Sequence, residues 1–106
     1  MVAEKKLYEL RIYTVVPHLF PDLLHLWEND GKILTRRYMK CIGVWNSETG
    51  HLNKIFHLYE WEGFSERESA RQKFYNDEEA QDYVKKVKKL YQTQESYFLS
   101  SLDNLF

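Results

Sequence analysis

The chain has 106 residues, 16% of them aromatic, and its 15 Lys and Arg residues against 16 Asp and Glu residues leave a formal net charge of -1. This length suits a single domain over residues 1–106. The charge balance argues against nucleic-acid binding, and no apolar run approaches the roughly 18 residues of a membrane-spanning helix, so no membrane insertion is expected.

The first third of the chain predicts a strand followed by a helix. The segment Leu7–Val15 alternates between two faces and is rich in β-forming residues, which predicts strand 1. Pro17 ends this strand. Apolar residues then recur at helical spacing, which predicts an amphipathic helix from about Leu19 to at least Asn29. Gly31 either caps this helix or lies inside a longer one that runs towards Arg37.

The middle of the chain predicts a β-hairpin. Residues 39–46 and 52–61 are both rich in β-forming residues, and the second segment alternates between two faces. The residues Glu48-Thr49-Gly50 between them have the composition of a hairpin turn, so the two segments are the predicted strands 2 and 3.

The last third of the chain predicts two helical segments and a short strand. Ser65 has the spacing of a capping box to a following glutamate, which predicts a helix over residues 66–75 with Ser65 as its N-cap. Asn76 or Asp77 caps a second helix, and residues 96–99 predict the final strand.

The resulting order of elements, β-α-β-β-α-β, predicts an α+β fold of the ferredoxin-like type. In this arrangement a four-stranded antiparallel sheet carries helices on one face. The other face has no helix to cover it.

The alternation within the strands assigns side chains to the two faces of the sheet. The apolar side is expected under the helices and consists of Tyr8, Leu10, Ile12, Ile42, Val44, Phe56 and Leu58. The uncovered side then consists of Glu9, Arg11, Tyr13, Cys41, Gly43, Trp45, Asn53, His57 and Tyr59. A face that is polar, ionisable and aromatic suits either packing against a second copy of the chain or a pocket with convergent polar groups.

Three residues of this predicted uncovered face are the catalytic candidates. Glu9 and Arg11 lie two residues apart on one strand and are expected to pair, and the planar Arg11 guanidinium suits a carboxylate. His57 is a candidate acid or base near neutral pH. The structural alternatives are an ion pair that orders the interior and a histidine whose hydrogen bonds are satisfied.

The candidate ligand-binding set is larger. It consists of Arg11, Tyr13, Trp45, Asn53, His57 and Tyr59. Packing or subunit contact is the alternative role for the aromatic members, and completion of the hairpin is the alternative role for Asn53.

No metal site and no cofactor are expected. His25 and Glu28 share a helix face, but no third ligand follows at a suitable spacing. Phosphate-binding loops and nucleophile motifs are absent from the sequence. Cys41 is alone, which indicates a reducing compartment, and the N-terminal segment has no apolar stretch of the secretory type. We therefore expect a cytoplasmic protein.

Several separated motifs resemble the NIPSNAP family. They are Tyr8-Glu9-Leu10-Arg11-x-Tyr13 with Pro17, Gly43-x-Trp45-x-x-Glu48-x-Gly50-x-Leu52-Asn53, His57-Leu58 with an aromatic residue at 59, Glu66-Arg67-Glu68 with Arg71, and Gln94-Glu95-Ser96. These motifs follow the order of the family and extend over about Leu7 to Leu99, which is nearly the whole chain.

The resemblance implies a ferredoxin-like subunit that pairs with a second copy as a dimeric α/β barrel, with the two sheets packed together. Larger members of the family are linked to mitochondria and membrane traffic, whereas small single-domain members look bacterial and have no settled activity. The wider fold group includes cofactor-free monooxygenases, haem-degrading enzymes and isomerases, and fold analogy alone selects none of them.

The chain departs from the family pattern in two places that bear on the pocket. His18 stands where the family tends to have glycine, and Ala80 stands where it tends to have tryptophan at the start of the last helix. These departures affect the expected packing of that helix and the shape of any pocket.

We therefore expect a homodimer that binds a small organic molecule, anionic ones included, between the two sheets. Arg67 and Arg71 either form surface ion pairs or contact an anion at the mouth of the barrel. One alternative is a cofactor-independent monooxygenase or isomerase in which Arg11 holds the substrate, His57 moves a proton and Trp45 stacks on the substrate. The other alternative is a non-enzymatic module that binds a protein partner.

Overall fold

The computed structural model describes residues 6–102. Its strands are β1 (Leu7–Val15), β2 (Cys41–Asn46), β3 (Lys54–Trp61) and β4 (Tyr91–Ser100). Its helices are α1 (Phe20–Leu26), α2 (Lys32–Tyr38), α3 (Phe64–Tyr75) and α4 (Glu78–Lys88), with a 3-10 turn at Pro17–Leu19 and a π-helical turn at Trp27–Gly31. None of these helices has the length and apolar character needed to cross a bilayer.

The strands form one antiparallel sheet in the order β2-β3-β1-β4. This is the ferredoxin-like arrangement, so the predicted fold class is confirmed. The helices α1 and α2 form the first crossover, and α3 and α4 form the second. Strand β4 is longer than predicted because it pairs with β1 over the whole length of that strand, from Val15–Tyr91 to Leu7–Ser100.

The starts of the two helices of the second crossover differ in how they are capped. Asp77 caps α4 as predicted, because its carboxylate accepts hydrogen bonds from two backbone amides of the first turn at 2.9 and 3.4 Å. The prediction that Ser65 caps α3 is wrong, because α3 begins at Phe64, two residues before the predicted start, and Ser65 lies in its first turn. The Glu66 carboxylate instead accepts a hydrogen bond from the backbone amide of Glu62.

The first crossover runs through Gly31 and does not end there. Gly31 has a helical φ of -62° and lies at the end of the π-helical turn. A Cβ atom at this position would overlap the hydroxyl of Tyr83 on α4 and the ring of Trp27. The glycine therefore allows α4 to approach the π-helical turn closely.

On the central strands, the helices cover the face of the sheet that was predicted to be uncovered. Residues paired across neighbouring strands point to the same side of a sheet. On one face, the pairs between β1 and β3 are Glu9–Tyr59, Arg11–His57 and Tyr13–Ile55. Tyr13 and Ile55 belong to a buried core together with residues of the helices, among them Leu23, Leu34, Phe74, Ala80, Tyr83 and Val87. The polar and aromatic face therefore lies under the helices.

The opposite face of the sheet is apolar at its centre and lies outside this core. Its apolar members on the two central strands are Tyr8, Leu10, Ile12, Phe56 and Leu58, and Tyr97 and Leu99 lie beside them on β4, whereas Lys54, Glu60 and Glu95 lie around them on the same face. Tyr97 and Leu99 are 49% and 41% exposed. The prediction failed because alternation shows which residues share a face but not which face the helices cover.

Strand β2 divides its residues differently. Val44 lies under the helices, as predicted. Trp45 lies on the face without helices, as predicted, but it shares that face with Phe56 and not with His57. Cys41, in contrast, pairs with Tyr59 and packs on the helix side, because a bulge near the start of β2 shifts the alternation. Ile42 was expected under the helices but is half exposed.

Replacing Gly31 by alanine is expected to destabilise the fold. In an open helix this change stabilises by about 1 kcal/mol. Here the added methyl group meets Tyr83 and Trp27, and such overpacking costs about 1–3 kcal/mol. Urea unfolding followed by circular dichroism measures the difference. Gly63→Ala is the control, because a Cβ at Gly63 meets nothing within 4 Å. An unchanged Gly31→Ala protein would contradict the packing described.

Candidate functional site

A cavity of about 340 Å³ lies between the helices and the side of the sheet that faces them. The sheet contributes Tyr13, His57, Tyr59, Tyr91 and Gln94 to its lining. The helices contribute the rings of Trp27, Phe74, Tyr75 and Tyr83, together with Thr35 and Lys88. The volume lies within the range of small-molecule sites, roughly 300–1,000 Å³. Three predicted ligand-binding residues thus meet between sheet and helices, rather than between two sheets.

His57 lies among aromatic rings on the floor of the cavity. Its Nδ1 atom lies 2.9 Å from the Tyr59 hydroxyl oxygen. The rings of Tyr13 and Trp27 meet it edge to face, with ring centroids 5.3 and 5.1 Å from its own. Burial, together with the positive charge of Arg11, lowers the pKa of His57 to about 3. At neutral pH the imidazole is therefore an uncharged hydrogen-bonding group and a weak base.

Four of the five tyrosines that line the cavity have a hydroxyl without a hydrogen-bond partner within residues 6–102. They are Tyr13, Tyr75, Tyr83 and Tyr91, whereas the bonded tyrosine hydroxyls belong to Tyr8, Tyr38 and Tyr59. Burial raises the pKa of the phenols of Tyr13, Tyr83 and Tyr91. They are therefore protonated at neutral pH and can donate hydrogen bonds to a molecule in the cavity.

The carboxylate of Glu9 is buried in a bonded network at the same face of the sheet. Glu9 is only 1% exposed. Arg67 on α3 donates to its two oxygens from Nε and Nη2, at 2.9 and 3.1 Å, and the indole of Trp61 donates at 3.1 Å. Burial alone would raise the pKa of Glu9, but Arg67, the charge of Arg11 and the Trp61 bond outweigh burial and hold this pKa below its ordinary value.

Arg11 lies close to Glu9 but makes no hydrogen bond to its carboxylate. The predicted Glu9–Arg11 pair is present only as a contact of 4.0 Å between Arg11 Nε and a Glu9 oxygen, because Arg67 occupies both oxygens. Within the described part of the chain, Arg11 Nε is the one buried side-chain nitrogen or oxygen without a hydrogen-bond partner. The guanidinium carbon lies 5.4 Å from the centroid of the Tyr13 ring, which places Arg11 next to the cavity but outside its lining.

Two other predicted ligand-binding residues lie away from the large cavity. Asn53 has a positive φ of 63°, and its backbone carbonyl accepts a hydrogen bond from the Val15 amide at 2.8 Å. It shapes the loop between β2 and β3. Trp45 is 51% exposed and lies over Gly43 on the apolar face. It lines a smaller cavity of about 120 Å³ together with Leu23 and His57.

The two arginines of α3 have different positions. Arg67 is held by Glu9, and its guanidinium carbon lies 4.9 Å from the centroid of the Phe98 ring. Arg71 lies over the ring of Tyr75, at 5.3 Å from the ring centroid. Because Tyr75 lines the large cavity, Arg71 is next to the candidate site and Arg67 is engaged elsewhere.

Only three of the 14 residues that line the cavity were among the predicted site residues, and those that were missed include Trp27, Tyr83, Lys88 and Tyr91. Helical spacing does contain a signal for two of them, because Tyr83 and Lys88 share a face of α4 with Val84 and Val87. The position of Trp27 depends on the π-helical turn, which no sequence pattern indicated.

A metal centre has no support in the described residues. Within residues 6–102 no group of three or more His, Cys, Asp or Glu residues is placed to hold a metal ion. Burial raises the pKa of the Cys41 thiol, which therefore stays protonated at neutral pH.

Comparison with known proteins identifies the family. The family model described as NIPSNAP matches residues 8–103. The chain belongs to the NIPSNAP family. Two curated relatives, human Protein NipSnap homolog 3A and mouse Protein NipSnap homolog 3B, are 28% and 29% identical to it over 76 residues, or 71% of this chain. This NIPSNAP chain spans 30% of the length of either relative.

Solved structures share the fold. A NIPSNAP family protein from Agrobacterium tumefaciens has a TM-score of 0.91 at 20% identity, covering 97% of this chain and 91% of its own. A NIPSNAP-like domain protein from Burkholderia xenovorans has a TM-score of 0.86 at 26% identity, covering 97% and 89%. A putative antibiotic biosynthesis monooxygenase from Bacteroides thetaiotaomicron has a TM-score of 0.71 at 13% identity, covering 99% and 97%, which shows a common fold alone.

The stability of this NIPSNAP protein is expected to fall below about pH 6.5 because of His57. The pKa of the folded state, about 3, lies below the ordinary value of 6.5. Between these values the unfolded chain binds a proton that the folded chain does not, so stability rises with pH in this window. His57 contributes at most about 1.4 kcal/mol per pH unit to the slope of the unfolding free energy against pH.

The variant His57→Gln removes this contribution. Urea unfolding between about pH 7 and about pH 5 should show a flatter dependence of the unfolding free energy on pH than in the wild type. His51→Gln is the matched control, because His51 is exposed, and it should keep the wild-type slope. A wild-type slope in His57→Gln would show that His57 is not held neutral by its burial.

Proposed function

We propose that this NIPSNAP protein is a homodimer in which each subunit binds a small organic molecule in the cavity between its sheet and its helices. The observation that carries this proposal is a cavity of about 340 Å³ lined by four tyrosines whose hydroxyls have no hydrogen-bond partner in the described residues. The hydroxyls of Tyr13, Tyr83 and Tyr91 are not among the fully buried unpartnered atoms, so they keep accessible surface. Accessible donors at a cavity of this size favour an occupant that supplies hydrogen-bond acceptors.

The lining also indicates the body of the ligand. Trp27, Phe74, Tyr75 and Tyr83 offer ring surfaces from the helices, and Tyr13 and Tyr91 stack on each other with centroids 4.3 Å apart on the sheet. Such surfaces favour a flat, largely apolar molecule. The uncharged imidazole of His57 adds a further hydrogen-bonding group between the rings.

The geometry favours binding over acid–base catalysis. A cofactor-independent monooxygenase or isomerase would use His57 to move a proton and Arg11 or Glu9 to assist it. The pKa of His57, about 3, makes it a weak base, and both Glu9 oxygens are held by Arg67. The enzyme alternative therefore has no observed group suited to its proton transfer at neutral pH.

A second copy of the chain is the proposed cover of the apolar face. Leu10, Ile12 and Leu58 lie at the centre of that face, and Tyr97 and Leu99 continue it to the edge of the sheet. A contiguous apolar patch of this kind marks an interaction surface. The same face on a second subunit is a matching apolar partner, and two sheets packed face to face about 10 Å apart would bury both.

We also propose that the protein acts as one NIPSNAP-like domain in the cytoplasm. The family match over residues 8–103 supports one such domain. The single, half-buried Cys41 supports a reducing compartment.

Filling the cavity should abolish binding. Val84 lines the cavity, and Val84→Phe is expected to lower the affinity for one- and two-ring aromatic molecules by about tenfold or more, because the added ring occupies their space. Isothermal titration calorimetry measures the affinity. Ile33→Phe is the control, since Ile33 is exposed on α2 and lies outside this cavity. Equal binding by Val84→Phe and the wild type would place the ligand elsewhere.

A charge on the apolar face should separate the subunits. Leu99→Lys places an ammonium group within the proposed contact, so the dimer is expected to dissociate to a folded monomer at micromolar concentration. Light scattering after gel filtration measures the mass. Ile33→Lys adds the same charge on the helix layer and should remain dimeric. A monomeric wild type, or dissociation by Ile33→Lys alone, would overturn the proposed dimer.

A further inference from the structure

The rim of the cavity is positively charged. Lys88 on α4 is the only charged side chain among the described residues that line the cavity. Arg71 on α3 lies over Tyr75, which is an exposed part of the same lining. Within residues 6–102, neither Lys88 nor Arg71 has a carboxylate oxygen within 4.0 Å. Two cations thus stand at the rim without a close counter-charge.

A third cation borders the floor of the cavity from the sheet. Arg11 pairs across the strands with His57 and lies beside Tyr13, and both of these line the cavity. The Arg11 side chain is 14% exposed, and its nearest carboxylate oxygen, on Glu9, is 4.0 Å away. Because Glu9 faces both Arg67 and Arg11, this group of one carboxylate and two guanidinium ions carries a net positive charge next to the cavity.

The interior of the cavity has a different character from its rim. Among the described residues no carboxylate lines it, and the buried polar residues of its lining are Tyr13, Thr35, Tyr59, Tyr83 and the uncharged His57. These groups suit neutral acceptors such as a carbonyl or hydroxyl oxygen. The site therefore combines a neutral aromatic interior with a cationic rim.

From this combination we infer that the ligand is a small organic carboxylate. Its body of one or two rings lies in the aromatic interior, and its carboxylate lies at the rim with Lys88 and Arg71, in the field of Arg11. A carboxylate matches the planar donors of a guanidinium, and charge-assisted hydrogen bonds are stronger than neutral ones. This inference rests on the proposed binding function and adds the charge and the orientation of the ligand.

The experiment compares acids with their uncharged isosteres. Benzoic, phenylacetic and naphthoic acids, each paired with its primary amide, are titrated into the wild-type protein in a calorimeter at neutral pH and low salt. The best-bound acid is expected to bind about tenfold more tightly than its amide, because the amide has a similar shape without the charge. Added salt should reduce this ratio.

Substitutions at the rim test which residues cause the preference for the acid. Lys88→Gln and Arg71→Gln should each lower the ratio of acid affinity to amide affinity by about threefold, as expected for partly exposed charges, because the lost charge weakens acid binding more than amide binding. Lys85→Gln is the control, because Lys85 is an exposed residue of α4 outside the lining. Equal affinity for acid and amide, or equal loss of both in the rim variants, overturns the carboxylate inference alone. Failure of every acid and amide to bind overturns the proposed binding function as well.

Discussion

The buried carboxylate of Glu9 determines which face of the sheet lies under the helices. A carboxylate that is 1% exposed must have its hydrogen bonds satisfied, and Arg67 on α3 and Trp61 on β3 supply them. Removing one partner of such a buried pair costs about 3–5 kcal/mol. The network therefore joins the second crossover to the centre of the sheet. Because residues two positions apart on a strand share a face, Arg11, Tyr13 and their cross-strand neighbours also lie on the helix side of the sheet.

The two faces of the sheet therefore have different roles, one in ligand binding and the other in subunit contact. On the helix side, tyrosine and tryptophan rings pack with aliphatic residues such as Leu23 and Leu34, and they line a cavity whose buried titratable groups are uncharged phenols and an uncharged imidazole. On the other side, the aliphatic residues that alternation favours for a core, such as Leu10 and Leu58, remain without a helix above them. A binding site on one face and a subunit contact on the other follow from the same arrangement.

The sequence was sufficient for the order of the elements, the bounds of β1 and the family, because periodicity and local motifs are properties of neighbouring residues. It was not sufficient for the orientation of the sheet, because the contact between Glu9 and Arg67 joins residues 58 positions apart. Alternation placed Glu9, Arg11, Tyr13, His57 and Tyr59 correctly on one face. The error was to leave this face without helices, whereas the helices pack on it. The bulge in β2 and the π-helical turn at Trp27 had no local sequence signal, so the positions of Cys41 and Trp27 were missed.

The 3 tryptophans of the chain report on the two faces separately. Trp45 lies on the apolar face, Trp27 lines the cavity, and Trp61 is buried beside Glu9. The most direct measurement is fluorine NMR of the protein labelled with fluorotryptophan, with each signal assigned by a Trp→Phe variant, over a dilution series that crosses the dimer-to-monomer transition. We predict that dilution shifts the Trp45 signal and leaves Trp27 and Trp61 unchanged. A shift of Trp27 or Trp61 with Trp45 unchanged would place the subunit contact on the helix side and contradict the division of the sheet.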